Sequence, residues 1–373
     1  MSYGTVNADV IGTSVAGSNL GAGNASIMKN RIINGAMSIA QYGTSTSIAA
    51  GGNVGYSCDR FRCDSSVGTA ITSAQSTSVV PAGFGYSLSY TTGTGTTAAG
   101  DTAEIVQFIE ANNLSDIGFG SANAKTLMLS FWARSSLTGS FGIVIENGAG
   151  TRQYLTTYSL PTANTWTQIT IALPADTGGT WTLTGNGRGL NIRWDMGVGT
   201  SNSGASTNAW GNSSYYGITG AVKPTQNTGA TFYITGVQLE VGSSATGFEY
   251  RQYGTEFALC QRYYQVYGSV GSSGTNGDVF SGFMRNSSTV FMPVPLYVAM
   301  RTTPSFTSIS ASGAQFSSQT QDTTVTGFQI SNTPTPRTAF VQALSSSAFA
   351  AGNGIVYSNG GTTTNAFSFS AEL

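Results

Sequence analysis

From Ile32 onward, apolar and polar positions alternate in short runs broken by glycine-rich punctuation. The clearest run is Leu190-Asn-Ile-Arg-Trp-Asp-Met196. Leu190, Ile192, Trp194 and Met196 share one face, and Asn191, Arg193 and Asp195 share the other. This predicts a strand with one core side and one wet side. Leu127-Met-Leu-Ser-Phe-Trp-Ala-Arg134 is apolar on both faces early on, which predicts a central strand. Trp166-Thr-Gln-Ile-Thr-Ile-Ala172 and Phe141-Gly-Ile-Val-Ile145 repeat the period of two. Thr231-Phe-Tyr-Ile-Thr-Gly-Val-Gln-Leu-Glu240 is longer, and Gly236 within it predicts a bulge. Turn clusters separate the runs: Asn147-Gly-Ala-Gly150, Asp176-Thr-Gly-Gly179 and Gly185-Asn-Gly187. Many short strands with regular turns predict an all-β sandwich or barrel, not a parallel α/β sheet.

Two regions depart from this pattern. Residues 1–28 mix small, polar and glycine positions with no dense apolar block, so they bury little alone and are ordered, if at all, by partners. In Thr255-Glu-Phe-Ala-Leu-Cys-Gln-Arg-Tyr-Tyr264, Phe257, Cys260 and Tyr264 recur at helical spacing behind a Thr255 cap. This predicts a short helix at a domain boundary, with Tyr263, Tyr264 and Tyr267 packing the junction. Strands resume in Val290-Phe-Met-Pro-Val-Pro-Leu-Tyr-Val298 and in Ala366-Phe-Ser-Phe-Ser-Ala371. Pro293 and Pro295 place the first of these at an edge or make it irregular. No repeat of fixed period is present, which argues against a solenoid or propeller.

Composition changes the picture in one respect. Charged residues are 8% of the 373, against about 25% in ordinary domains, while glycines number 49. A surface so weakly charged costs little to desolvate, which favours association with copies of itself. The 15 basic residues are scattered and the net charge is −1, so nucleic acid is not an expected partner. No run reaches the ~20 apolar residues of a membrane span, and the start lacks a signal-peptide pattern, so membrane insertion is not expected and synthesis is expected in a cytoplasm. Cys58, Cys63 and Cys260 make an odd set with a poor zinc spacing, and they are expected to be free thiols or small core fillers.

Catalytic chemistry finds little support. The chain has no histidine, which removes Ser-His-Asp and Cys-His systems, and it has no P-loop. Carboxylate pairs remain, as in a polysaccharide depolymerase. Glu104 and Glu110 share a face of one predicted strand, but six steps put them about 20 Å apart, too far to act together. Asp59 and Asp64 flank Arg60 and Arg62 and are expected to be salt-bridged. The expectation is therefore a non-enzymatic protein. Trp210, Tyr215 and Tyr216 stand together in the polar loop Asn208-Ala-Trp-Gly-Asn-Ser-Ser-Tyr-Tyr-Gly217. Rigid rings among adaptable polar residues suit a sugar-binding platform, although rings so placed also serve as plugs at a sandwich edge or subunit interface.

Several stretches together resemble a module of tailed-phage fibre and appendage proteins. They are Asn30-Arg-Ile-Ile-Asn-Gly-Ala-Met37, Cys58-Asp-Arg-Phe61, Leu129-Ser-Phe-Trp-Ala-Arg-Ser135 and the Trp166 stretch. Tyr233-Ile-Thr-Gly-Val-Gln-Leu-Glu-Val-Gly242 is the strongest, followed by Phe248-Glu-Tyr-Arg-Gln-Tyr-Gly254 and Leu259-Cys-Gln-Arg-Tyr-Tyr264. Met300-Arg-Thr-Thr-Pro304 and the ending Ala371-Glu-Leu373 look like a C-terminal domain that often follows. The module is in turn similar to jelly-roll carbohydrate-binding modules, some of which hold a structural calcium ion. The resemblance implies that Asn34 and Glu240 meet at such an ion, although Ala36 stands where an acidic residue often sits.

The resemblance implies an all-β chain: an extended N-terminal segment (1–28), a jelly-roll β-sandwich (29–252) and a smaller C-terminal β domain opened by a short helix (253–373). It implies a homotrimer in a virion tail or appendage, assembled in a bacterial host's cytoplasm. The N-terminal segment would bind other virion proteins, and a distal surface would bind a host cell-surface glycan or protein. The alternatives are a structural head, neck or baseplate decoration protein, a depolymerase, or a bacterial adhesin, the last weakened by the absent secretion signal.

Overall fold

The computed structural model describes residues 28–268, 276–311, 314–317, 322–345, 354–360 and 367–373. The expected attachment segment lies, apart from Met28, outside the described residues. The chain divides into two units between Tyr253 and Gly254. Both are β structures, as the alternation requires.

The first unit begins with β1 (Ser45–Ile48), β2 (Asn53–Cys58), β3 (Phe61–Ser65), β4 (Ile71–Ser76) and β5 (Ser87–Thr92). It continues with β6 (Ala103–Glu110), β7 (Leu127–Ser135), β8 (Gly139–Asn147), β9 (Arg152–Leu160) and β10 (Thr167–Leu173). Then come β11 (Arg188–Asp195), β12 (Ser203–Gly204), β13 (Trp210–Asn212), β14 (Gly217–Ile218) and β15 (Thr231–Val241). These make a jelly-roll sandwich of a six-stranded sheet, β1-β4-β5-β15-β7-β10, and a seven-stranded sheet, β13-β9-β8-β11-β6-β3-β2. The inward residues of both sheets share one core, in which Trp194 packs against Phe131 at 5.7 Å and Phe61 at 6.3 Å. The bulge in β15 lies where the sequence puts it. Gly236 has φ +63°, and the register against β7 shifts between Thr235 and Gln238.

The sandwich closes where its chain enters and leaves. The Asn30 amide donates to the Val237 carbonyl and accepts from the Leu239 N–H, while Glu249 accepts from the Asn30 N–H. Arg251 donates to the carbonyls of Asn30 and Ile32. Side chains from both ends thus clasp one another with charge-assisted bonds.

One expectation is corrected here. Asn191, Arg193 and Asp195 are not a wet face; they are 1%, 7% and 0% exposed. The segment after β11 folds back over the outside of the seven-stranded sheet. Ile218 and Ala221 close there on Val144 and Leu155 in a small apolar cluster. Asp195 anchors this cover by accepting N–H bonds from Gly197, Val198 and Ile218 and pairing with the Lys223 ammonium. Gly217 is needed at this point, because a Cβ would lie 2.4 Å from the Asp195 carboxylate.

The second unit opens on α1 (Tyr253–Gln261), then β16 (Tyr264–Tyr267), β17 (Asn276–Asn286), β18 (Thr289–Pro295) and β19 (Ser305–Ser308). It ends with β20 (Ala314–Ser317), β21 (Asp322–Ile330), β22 (Thr338–Ser345), β23 (Gly354–Gly360) and β24 (Phe367–Ser370). A closed barrel, β17-β18-β22-β21-β20-β23, accompanies a three-stranded sheet, β16-β24-β19. The predicted helix exists but starts three residues early, at Tyr253, so Thr255 is inside it rather than capping it. It buries Glu256, Cys260 and Gln261, and Tyr264 already belongs to β16. Tyr267 lies in this unit's own core, 5.5 Å from Phe367 and 5.8 Å from Phe369. β18 is not an edge strand, for it pairs with both β17 and β22. Its prolines are tolerated because pairing with β17 ends at Phe291, so Pro293 and Pro295 face only one partner strand. The Arg301 guanidinium donates to the carbonyls of Ala371 and Glu372, which joins two of the stretches that carried the resemblance.

Candidate functional site

The outer face of the seven-stranded sheet carries a dense polar network. On β8, Ile143 and Ile145 point into the core, so Glu146 points out. By the same alternation β6 presents Glu104 and Phe108, β11 presents Asn191 and Arg193, and β3 presents Arg62 and Asp64. Register brings these together across strands: Asn191 stands opposite both Glu146 and Phe108, and Arg62 opposite Val106.

Arg193 is the hub. Its Nε donates to Glu146 at 2.7 Å and its Nη1 to Glu104 at 2.7 Å. Asn191 Nδ2 and Gln153 Nε2 also donate to Glu146, at 2.9 and 2.7 Å. Gln153 continues outward, accepting from Ser213 Oγ and the Tyr215 N–H and donating to the Tyr215 carbonyl. A buried ion network thus holds the loop that carries Tyr215 and Tyr216.

A cleft of about 180 Å³ opens beside this network, lined by Glu146, Arg188, Asn191, Arg193, Ser214 and Tyr216. Arg193 lies 5.0 Å from the centre of the Tyr216 ring, which is 37% exposed. Beneath the cleft, three guanidinium groups gather on the Phe108 ring: Arg188 at 4.0 Å, Arg62 at 4.5 Å and Arg193 at 6.0 Å. Arg62 pairs with Asp64 at 2.5 Å. Burial, then the neighbouring Arg62 and Arg193 cations, pull Arg188 below its ordinary range.

Of the three loop rings singled out in the sequence, the structure assembles two. Tyr215 and Tyr216 are exposed beside the cleft, and the Tyr215 ring lies over Gly204. Trp210 stands on the core side of β13 instead, opposite Tyr154. It packs against Trp181 at 5.3 Å and Phe119 at 5.5 Å and donates to the Pro174 carbonyl. It plugs the sandwich edge. Glu146 and Arg188 carry no signal in the sequence, and Asn191 and Arg193 are marked there only as the polar face of a strand. The one local hint is the Gly187-Arg188-Gly189 triplet, which sets an arginine between two residues without side chains.

The remaining carboxylates are engaged elsewhere. Asp59 accepts from the Gln41 N–H and amide, and Glu110 stands at the far end of β6 from Glu104. Asn34 is bound to the backbone of Ile39 and Asp59. Glu240 accepts from Thr246 and Gln238, with the Lys29 ammonium 3.7 Å away. Thus Asn34 holds a turn, and a lysine cation supplies the counter-charge of Glu240. Among the described residues no three His, Cys, Asp or Glu side chains converge as a metal site. Cys58, Cys63 and Cys260 are all free and buried. No described helix is long and apolar enough to cross a membrane.

Burial pushes Glu104 up from 4.5 to about 7, against the attraction of Arg193, and Asp59 up from 3.8 to about 6, against the hydrogen bonds from Gln41. A carboxyl whose folded-state value is raised holds its proton after the unfolded chain has lost it. Stability therefore falls as pH rises through roughly 4 to 7. The urea midpoint of unfolding is expected to be lower at about pH 7.5 than at about pH 5, and Glu104→Gln to flatten part of that slope. A midpoint that climbs across this window would contradict the assignment.

The fold and face define the class: a jelly-roll β-sandwich with a polar cleft, edged by one tyrosine ring, on one sheet, followed by a small β domain. No protein-family profile matches the chain, and no curated protein matches it in sequence. Among solved structures it is similar to the enzymatically active domain of tailspike protein 4 of bacteriophage CBA120. The identity is 13% and the TM-score 0.29, over 57% of this chain and 22% of that one. It is also similar to a CBM4 structure, with 14% identity and TM-score 0.30, over 57% of this chain and 99% of that one. The N-terminal cellulose-binding domain of β-1,4-glucanase C from Cellulomonas fimi matches with 13% identity and TM-score 0.27, over 54% and 91%. Likeness at this level is distant and assigns neither a ligand nor an activity.

Proposed function

We propose that this chain is a non-enzymatic subunit of a homotrimeric tail fibre or appendage of a tailed phage, and that its sandwich recognises a glycan on the host surface. The observation that carries the glycan reading is the cleft on the seven-stranded sheet, where the exposed Tyr216 ring faces hydrogen-bonding groups fixed by a buried network. A rigid ring beside held polar groups supplies contact area without a large ordering cost. The ordered stretches that resemble the phage module support the virion role and attachment through the N-terminal segment. Binding rather than cleavage is supported by Arg193, which bonds both Glu104 and Glu146 and leaves neither as an isolated acid. The low charge supports assembly from identical copies, as does an apolar stripe on the second unit's barrel. There Phe283 is 54% and Phe340 42% exposed, and Phe291 stacks on Phe283. Three weak contacts on one particle then act together as avidity.

Purified protein is expected to have a solution mass about three times 38.5 kDa and to bind susceptible cells in a way that glycan fragments compete. Tyr216→Ala is expected to weaken that binding by about tenfold, near 1.4 kcal/mol, with the thermal midpoint unchanged. A monomer that binds no susceptible host would favour the decoration-protein alternative. Clearing of host polymer by the purified chain would favour the depolymerase.

A further inference from the structure

We propose that the cleft selects an acidic sugar residue, and that Arg188 is the group that takes its carboxylate. The inference rests on the reading of the cleft as a glycan site and narrows the ligand class. Of the three guanidinium groups on Phe108, two are committed: Arg62 to Asp64, and Arg193 to Glu104 and Glu146. Arg188 is not. Among the described residues its guanidinium makes no ion pair and no hydrogen bond; it lies over the Phe108 ring face at 4.0 Å, with Asp64 and Tyr56 near enough only to temper the repulsion of Arg62 and Arg193. A half-buried guanidinium beside two other cations, with its five donors unspent, is costly to maintain. Packing alone does not call for it, since an apolar chain would cover Phe108 without the charge. Held over the ring face and not bonded to a neighbour, the guanidinium keeps its donors for a planar carboxylate, which it can meet through two parallel hydrogen bonds.

The rest of the cleft suits the remainder of one sugar ring. Asn191 Oδ1 lines the cleft and is buried with no hydrogen-bond donor among the described residues, so one sugar hydroxyl has an unspent acceptor. The volume, about 180 Å³, is below the ~300–1,000 Å³ of drug-sized pockets, which fits a single residue of a chain. One uncommitted cation also argues against a nucleic acid, which needs a track of them.

The test titrates the full-length protein with 3′-sialyllactose, a galacturonic acid trimer and a hyaluronan tetrasaccharide, each beside its carboxyl-reduced counterpart. At least one acid is expected to bind about tenfold or more tighter than its reduced form, and that preference to shrink as salt is raised. Arg188→Gln is expected to abolish the preference, and Arg188→Lys to keep part of it. Equal binding of acid and reduced sugars, or a preference that survives Arg188→Gln, overturns the proposal while leaving the glycan reading intact. Failure of every sugar to bind, with no binding to cells, removes both. Should Arg188→Gln misfold, the acid and reduced comparison on the unaltered protein decides.

Discussion

Arg193→Ala is expected to lower the unfolding free energy by about 3–5 kcal/mol, the usual cost of leaving buried charges without their counter-ion. The side chains of Arg193, Glu104 and Glu146 are 8%, 4% and 2% exposed, so water cannot replace the lost cation. The guanidinium is held strongly charged there: burial opposes it, but Glu104 and Glu146 together outweigh that and raise its pKa. Deletion strands both carboxylates. It also frees Asn191 and Gln153 from a fixed Glu146, so the loop around Tyr215 should loosen and any glycan affinity should fall with stability. Urea unfolding followed by tryptophan fluorescence measures the first effect. Arg193→Met combined with Glu104→Gln and Glu146→Gln should recover most of the loss, because it removes the charges together. A loss below about 1 kcal/mol for Arg193→Ala would show that the network contributes only as a surface ion pair does.

Trp194→Ala should cost a similar amount by a different route. The ring is fully buried between Phe61 and Phe131, with the Phe131 ring perpendicular to it. Removing so large a side chain loses its transfer energy and leaves a cavity that two sheets cannot close, about 3–5 kcal/mol. For a unit of this size that is roughly 6–20 °C in thermal midpoint. Trp194→Phe should cost much less, about 1–2 kcal/mol. The indole N–H has no acceptor among the described residues, so its removal orphans nothing. Calorimetry on both variants separates the effects. If phenylalanine proves as costly as alanine, filling the space between the sheets is not what Trp194 contributes.

These two neighbouring positions show what a sequence can and cannot display. Trp194 was legible as core because period-two alternation is local: five or six residues reveal it. Arg193 was equally legible as outward-facing, yet its burial was not. That depends on Glu104 and Glu146, which lie 89 and 47 positions away, and on a cover built from residues after β11. Outward on a strand means wet only if nothing returns to lie across it. Trp210 failed in the opposite sense. A polar neighbourhood made it look like a platform ring, while its strand, β13, pairs with Tyr154 on the core side. Gly236 was legible because a glycine in the middle of a strong strand pattern weakens the strand unless the backbone bends there. The cleft was hidden because pairing register, not spacing, sets Arg188 over Phe108.

The clasp between the ends of the sandwich has a mechanical meaning. Asn30 and Ile32 are fastened to Val237, Leu239, Glu249 and Arg251, so residues far apart in sequence sit at a single knot. A pull applied at residue 28 and resisted at residue 251 is borne by that knot, and the strands between hang to the side, carrying almost no load. Under such a pull the sandwich can keep its shape, because the load passes across the knot and not along its strands.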